Sequence, residues 1–325
     1  MKAAVVTSLS APLEVVERAV PDPGTGEVLL QLQACGLCRA DVDATRGELP
    51  GAPAVPFVPG HEGVGVVVAR GTGVRTPRVG DRVALVRRGS RTVAGALAEY
   101  AVARADQVVA VPEGISAVDA APLTCGGVRA WAAVRVARLL PAERVGVFGV
   151  GGAGHLALQY ARIQGATVVA VDVARAPLDL ATALGAQHVV NAGTTEPVAA
   201  VQALGGLDVA LVLTAAPHVH EEALAVLRPG GRLVTAAQRH DEATMAVPIG
   251  RTVTDALTVL GAPRGTREDL AEVLALHAAG RARVVTESWR LEGVNEALTK
   301  VLAEHVATRV VIDCADGSTA RTTPP

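Results

Sequence analysis

The pattern of apolar and polar positions changes character near residue 126. Before it, short apolar runs such as GEVLLQLQA, GVGVVVARGTGV, GDRVALV and LAEYAVA are broken by turn residues, which predicts a β-rich domain with loops. After it, apolar runs alternate with amphipathic stretches. RVGVFGV leads to GHLALQYARIQG, TVVAVD to APLDLATALGA, HVVNA to LDVALVLTA, and HEEALAVLRPGG to RLVTAA, the βαβ rhythm of a parallel sheet covered by helices. LTVLGA and TREDLAEVLALHAAG predict a closing strand and helix. From about residue 281 the chain reads as short strands around one helix that return to the first domain. The predicted class is therefore α/β, with a β-rich domain followed by a doubly wound parallel sheet.

Composition narrows what such a chain does. Its 325 residues are 50% hydrophobic with a formal net charge of -2, as in a globular protein of about two domains. Lys and Arg form no basic block and aromatic residues are only 2%, which argues against nucleic-acid binding. No apolar run approaches the roughly 18 residues of a membrane span, and the N-terminus lacks the apolar core of a signal peptide, so a cytoplasmic location is expected. The cysteines are Cys35, Cys38, Cys125 and Cys314, too few to staple a chain of this length. Metal binding or burial is the expected use.

In VGVFGVGGAGHLALQYARIQGATVVAVD, Gly149, Gly151 and Gly154 take G-x-G-x-x-G spacing between an apolar strand and a helix, with Gly152 inside the turn. The first glycine permits the turn, the second lets the backbone approach a pyrophosphate, and the third lets helix and strand close together. Asp172 ends the following strand, where a carboxylate accepts hydrogen bonds from an adenosine ribose and repels a 2′-phosphate. This favours NAD over NADP, with Arg175 nearby as the opposing charge.

ACGLCRAD, residues 34 to 41, holds a Cys-x-x-Cys whose chemistry spacing alone leaves open: a redox pair, half of a zinc site, or two cysteines with separate fates. Together with PGHEGVGVV, DRVA, TCGGV and GGAG it resembles the zinc-dependent medium-chain dehydrogenase/reductase family, which is alcohol dehydrogenase-like, from Met1 to about Asp313. The resemblance implies a GroES-like catalytic domain over residues 1–126 and 281–325, and an NAD-binding Rossmann domain over 127–280. It also implies a catalytic zinc held by Cys38, His61 and Cys125, with Glu62 beside the metal and Asp41 hydrogen-bonded to the liganding histidine. Cys35 becomes a small buried neighbour. Arg39 and Arg309 match positions that reach the cofactor pyrophosphate, and the apolar strand DALTVLGA matches the edge through which family dimers pair.

The departures from the family are informative. The lobe of four cysteines that binds a structural zinc in many members has no counterpart after GDRVALV, so one zinc is expected. Ala40 and Asp43 stand where a hydroxyl and a histidine usually relay the alcohol proton, a loss worth on the order of 10²-fold in rate. Arg87 and Arg129 replace an aromatic and a small residue near the substrate, which implies an anionic group there. The expected activity is zinc-dependent hydride transfer between NAD(H) and an alcohol or carbonyl compound. The alternatives are an imine or conjugated-alkene reductase, and a cofactor-binding protein with a decayed site.

Overall fold

The computed structural model describes residues 1–51, 53–86, 95–237, 243–302 and 308–314. The chain falls into two units, one taking Met1–Cys125 with most of the chain from Leu270 onward, the other Gly126–Asp269. The division runs inside the helix Arg267–Ala278, whereas the sequence rhythm places it at residue 281.

The first unit is built on a seven-stranded sheet around the strand Glu27–Leu37. One edge of that strand carries Glu62–Arg70 in antiparallel register. Its other edge is shared, by Tyr100–Arg104 beside Glu27–Gln31 and by Arg309–Asp313 beside Ala34–Leu37. Beyond Arg309–Asp313 lies Thr286–Arg290 in parallel, and beyond Glu62–Arg70 lie Arg82–Leu85 and Val108–Ala110. Along Glu27–Leu37 burial runs uninterrupted from Ala34 to Leu37, because side chains on both faces are covered there. Leu30, Leu32, Cys35, Leu37, Val67, Leu85, Leu97 and Ile312 form the core of this unit.

The second unit holds a six-stranded sheet in which every pairing is parallel. Its order is His188–Asn191, Thr167–Asp172, Arg144–Phe148, Leu207–Val212, Leu227–Thr235, Thr258–Gly261. Numbered within the unit this is 3-2-1-4-5-6, the doubly wound Rossmann order. The order reverses between Arg144–Phe148 and Leu207–Val212, and ligands of such sheets lie at the carboxyl ends of the strands flanking that point. Among the described residues, no helix is long and apolar enough to cross a membrane.

Candidate active site and nucleotide site

The strand Glu27–Leu37 delivers the chain to Cys38, which caps the short helix Arg39–Thr45 in extended backbone. That helix is absent from the sequence reading, and it explains the position of Asp41. At the third helical residue, Asp41 accepts the Cys38 backbone N–H on Oδ2 at 2.9 Å, as an acidic residue does in a capping box. Its other oxygen accepts from His61 Nδ1 at 2.9 Å, and both side chains are buried. One carboxylate thus fixes the helix start and the imidazole together. With Nδ1 so engaged, His61 presents Nε2 3.5 Å from Cys38 Sγ.

His61 follows Gly60, whose φ is +99° and whose substitution would set a Cβ 2.7 Å from the Leu97 backbone nitrogen. Only glycine fits that turn into the strand Glu62–Arg70. Cys125, half-buried, closes the 3₁₀ turn Ala121–Thr124 immediately before the helix Gly126–Ala137. One ligand atom from each of Cys38, His61, Glu62 and Cys125 lies within 4.8 Å of the others.

Charge in this cluster is held under tension. Glu62 is wholly buried, and Arg309 Nη2 donates to its two oxygens at 2.5 and 2.6 Å. Burial nevertheless pushes the Glu62 carboxyl up to about 7, against the pull of Arg309. The Cys38 thiol is held well above its ordinary range by its hydrogen bond with Cys125 and by burial. For His61, burial favours the neutral ring, but Asp41 and Cys125 together outweigh it and raise the imidazole above its usual value. Cys38 and His61 thus both favour their protonated forms, and a divalent cation displaces such protons as it binds. Two thiolates and one imidazole make the donor set of a catalytic zinc with an open position.

The two cysteines of the Cys-x-x-Cys have separate fates. Cys35 is fully buried in the core, and that burial pushes its thiol well above the usual range. Cys314 is likewise buried, its thiol pushed up to about 12.

In the second unit Gly149 turns the chain out of the strand Arg144–Phe148 with φ +86°. Gly151 and Gly152 carry the loop to Gly154, where a Cβ would stand 1.9 Å from the Gly149 carbonyl oxygen. Asp172 reaches back to accept the Val150 N–H on Oδ2 at 2.7 Å, and accepts the Ala174 N–H on Oδ1 at 3.1 Å. The buried His155 donates Nδ1–H to the Gly151 carbonyl at 3.1 Å, a support for the loop that the sequence reading overlooked. The loop is thus braced on both sides before any ligand arrives.

The remaining candidates are placed as follows. Arg175 is exposed and pairs with Asp179 at 2.7 Å along its own helix. Arg39 is exposed and pairs with Asp43 at 2.8 Å. Arg309, which the resemblance directs to the cofactor pyrophosphate, directs its observed hydrogen bonds to Glu62. Ala40 packs half-buried against the core of the first unit. Arg129, half-buried in the first turn of the helix Gly126–Ala137, donates to the Ala236 carbonyl at 3.0 Å. Arg87 lies outside the described residues, as do residues 88–94 of the stretch expected to lack the cysteine lobe.

Comparison with known proteins agrees with this architecture. Residues 24–113 match the alcohol dehydrogenase GroES-like domain family, and residues 152–279 match the zinc-binding dehydrogenase family. Two proteins of Geobacillus stearothermophilus, each named alcohol dehydrogenase, are 35% and 36% identical to this chain, covering 96% of it and 98% and 99% of their own lengths. The crystal structure of the alcohol dehydrogenase from Aeropyrum pernix superposes with a TM-score of 0.86 at 28% identity, covering 96% of this chain and 100% of its own. The chain belongs to the zinc-type medium-chain dehydrogenase/reductase family and is an alcohol dehydrogenase-like oxidoreductase.

Proposed function

We propose that the protein is a zinc-dependent, NAD(H)-linked oxidoreductase that moves hydride between the nicotinamide and an alcohol or carbonyl carbon. The observation that carries this reading is the convergence of Cys38, His61, Glu62 and Cys125 within 4.8 Å, three of them a zinc donor set. When bound, the zinc polarises the substrate oxygen and the nicotinamide carries the hydride. The chain's own residues do the positioning. Cys38, Cys125 and His61 would hold the ion, Asp41 fixes the His61 ring, and Arg309 holds the buried Glu62 side chain beside them. Gly149, Gly151, Gly152 and Gly154 shape a loop that would receive the pyrophosphate, and Asp172, which braces that loop, would accept from the ribose. Relatives named alcohol dehydrogenase favour this reading over C=N or C=C reduction, and the intact ligand set opposes a decayed site.

Three finer points belong to the proposal. With four cysteines in the whole chain, one zinc is held and none is structural. Asp172 makes NAD(H) the preferred cofactor. The resemblance assigns Arg129 to the substrate region, and it has no carboxylate partner among the described residues, which supports a substrate that carries an anionic group. We expect one zinc per chain by elemental analysis, tighter binding of NADH than NADPH in a fluorescence titration, and faster NADH oxidation with a carboxylated ketone than with its neutral counterpart. No zinc and no NADH-linked turnover on any alcohol or carbonyl would remove the reading. Better use of the neutral ketone would return Arg129 to a structural role.

The chain also pairs with a second copy through the edge of the parallel sheet. There, among the described residues, Thr258–Gly261 has a single neighbour strand, Val259 is 38% exposed, and Ile249 and Val253 of the adjoining helix are 80% and 76% exposed. Exposed apolar side chains next to an open strand edge are what an interface covers. Sedimentation is expected at twice the chain mass, and a monomer at micromolar concentration would dismiss the interface.

A further inference from the structure

We infer that Gly36 is a positioning residue for Glu62: by carrying no side chain, it opens the path along which the carboxylate crosses one strand to reach Arg309 beneath the metal-ligand cluster. The register sets the problem. Gly36 lies opposite Glu62 on one side and Val311 on the other, and Arg309, two residues before Val311, shares that face. Adjacent strands are about 4.8 Å apart, so Glu62 and Arg309 project from strands roughly two spacings apart. Their hydrogen bonds at 2.5 and 2.6 Å form only because the Glu62 side chain lies across the strand between them.

A Cβ on Gly36 would stand 2.1 Å from Glu62 Oε2 and 3.1 Å from Glu62 Cβ and Cδ. Backbone conformation does not call for glycine here, since Gly36 is not among the residues with positive φ. What this glycine supplies is space. A methyl group at position 36 would drive the buried carboxylate off Arg309, with His61 Nε2 already 3.9 Å from its other oxygen. Displacement of Glu62 therefore reaches the metal-ligand cluster, not merely the strand.

The role toward zinc rests on the function proposed above, but the steric coupling does not. The test compares Gly36→Ala, Glu62→Ala and the double variant in two measurements: melting of the metal-free protein, and zinc affinity by chelator competition. Once Glu62→Ala has removed the carboxylate, the clash is reduced to one Cβ–Cβ contact of 3.1 Å, which a small shift relieves. Gly36→Ala alone is expected to lower the melting temperature and to weaken zinc binding about 10- to 100-fold, as losses next to metal ligands do. In the Glu62→Ala background it is expected to change neither. Losses that simply add in the double variant overturn the inference, and coupling in melting without a change in zinc affinity overturns the positioning role. A wild-type protein that binds no zinc would instead dismiss the proposed function while leaving the melting cycle readable. If Gly36→Ala does not accumulate as folded protein, recovery on adding Glu62→Ala supports the inference and failure to recover opposes it.

Discussion

Replacing Cys125 by serine is expected to lower kcat about a thousand-fold and to leave the purified protein with less than one zinc per chain. Lewis-acid stabilisation by a bound metal contributes several kcal/mol to the transition state. Losing about 4 kcal/mol of it corresponds to three decades, at roughly 1.4 kcal/mol each. Cys125 is the proposed ligand that comes from outside the adjoining strands, sitting at the end of the Ala121–Thr124 turn and hydrogen-bonded with Cys38. Its loss leaves one thiol and one imidazole, too few to hold the ion. Cys35→Ala is the control. It removes a buried sulfur from the core and should keep the zinc, so equal loss of metal from both variants would mean that the Cys-x-x-Cys acts as a unit.

The second large effect concerns Arg309. Arg309→Met is expected to destabilise the metal-free protein by about 3–5 kcal/mol, the usual cost of removing one partner from a buried ion pair. Glu62 has no exposure to water and would be left as an unpartnered buried acid. The pair itself is worth much less than the penalty for breaking it, so Arg309→Met with Glu62→Gln should recover most of the loss. Urea unfolding of the wild type and the two variants measures this directly. A loss of under about 1 kcal/mol in the single variant would show that Glu62 is already neutral and that its contacts with Arg309 contribute little.

How much of this was legible before the fold differs sharply between the two sites. The glycine loop is local: Gly149, Gly151, Gly154 and Asp172 lie within one strand–helix–strand unit, where spacing alone carries the geometry. The metal-ligand cluster is non-local. Cys38, His61 and Cys125 converge because the turns at Gly60 and Ala121–Thr124 bring distant segments to the end of one strand, and only a family resemblance links them in the sequence. The partnership of Glu62 with Arg309 depends on which strands flank Glu27–Leu37, which no periodicity encodes. Gly36 was invisible for the same reason, since a glycine in an apolar run signals nothing until its neighbours across the sheet are known. Arg39 and Arg175, assigned to the cofactor from the sequence, each pair with a residue four positions along their own helix, a local contact that spacing does encode.

The place of the strand Arg309–Asp313, beside the strand that leads into the cysteine and across from Glu62, sets an order of events during biosynthesis. Glu62 and Arg309 are 247 residues apart, so at about 5–20 residues per second a ribosome needs roughly 12–50 s to supply the cation after the acid. Through that interval the open strand edge has no native neighbour along Ala34–Leu37, and the nascent carboxylate has no counter-charge to be buried with. Every residue of the parallel sheet emerges in the same interval. The parallel sheet is thus synthesised in full before the metal-binding half receives its last strand, so the metal-binding half is the one whose sheet closes last.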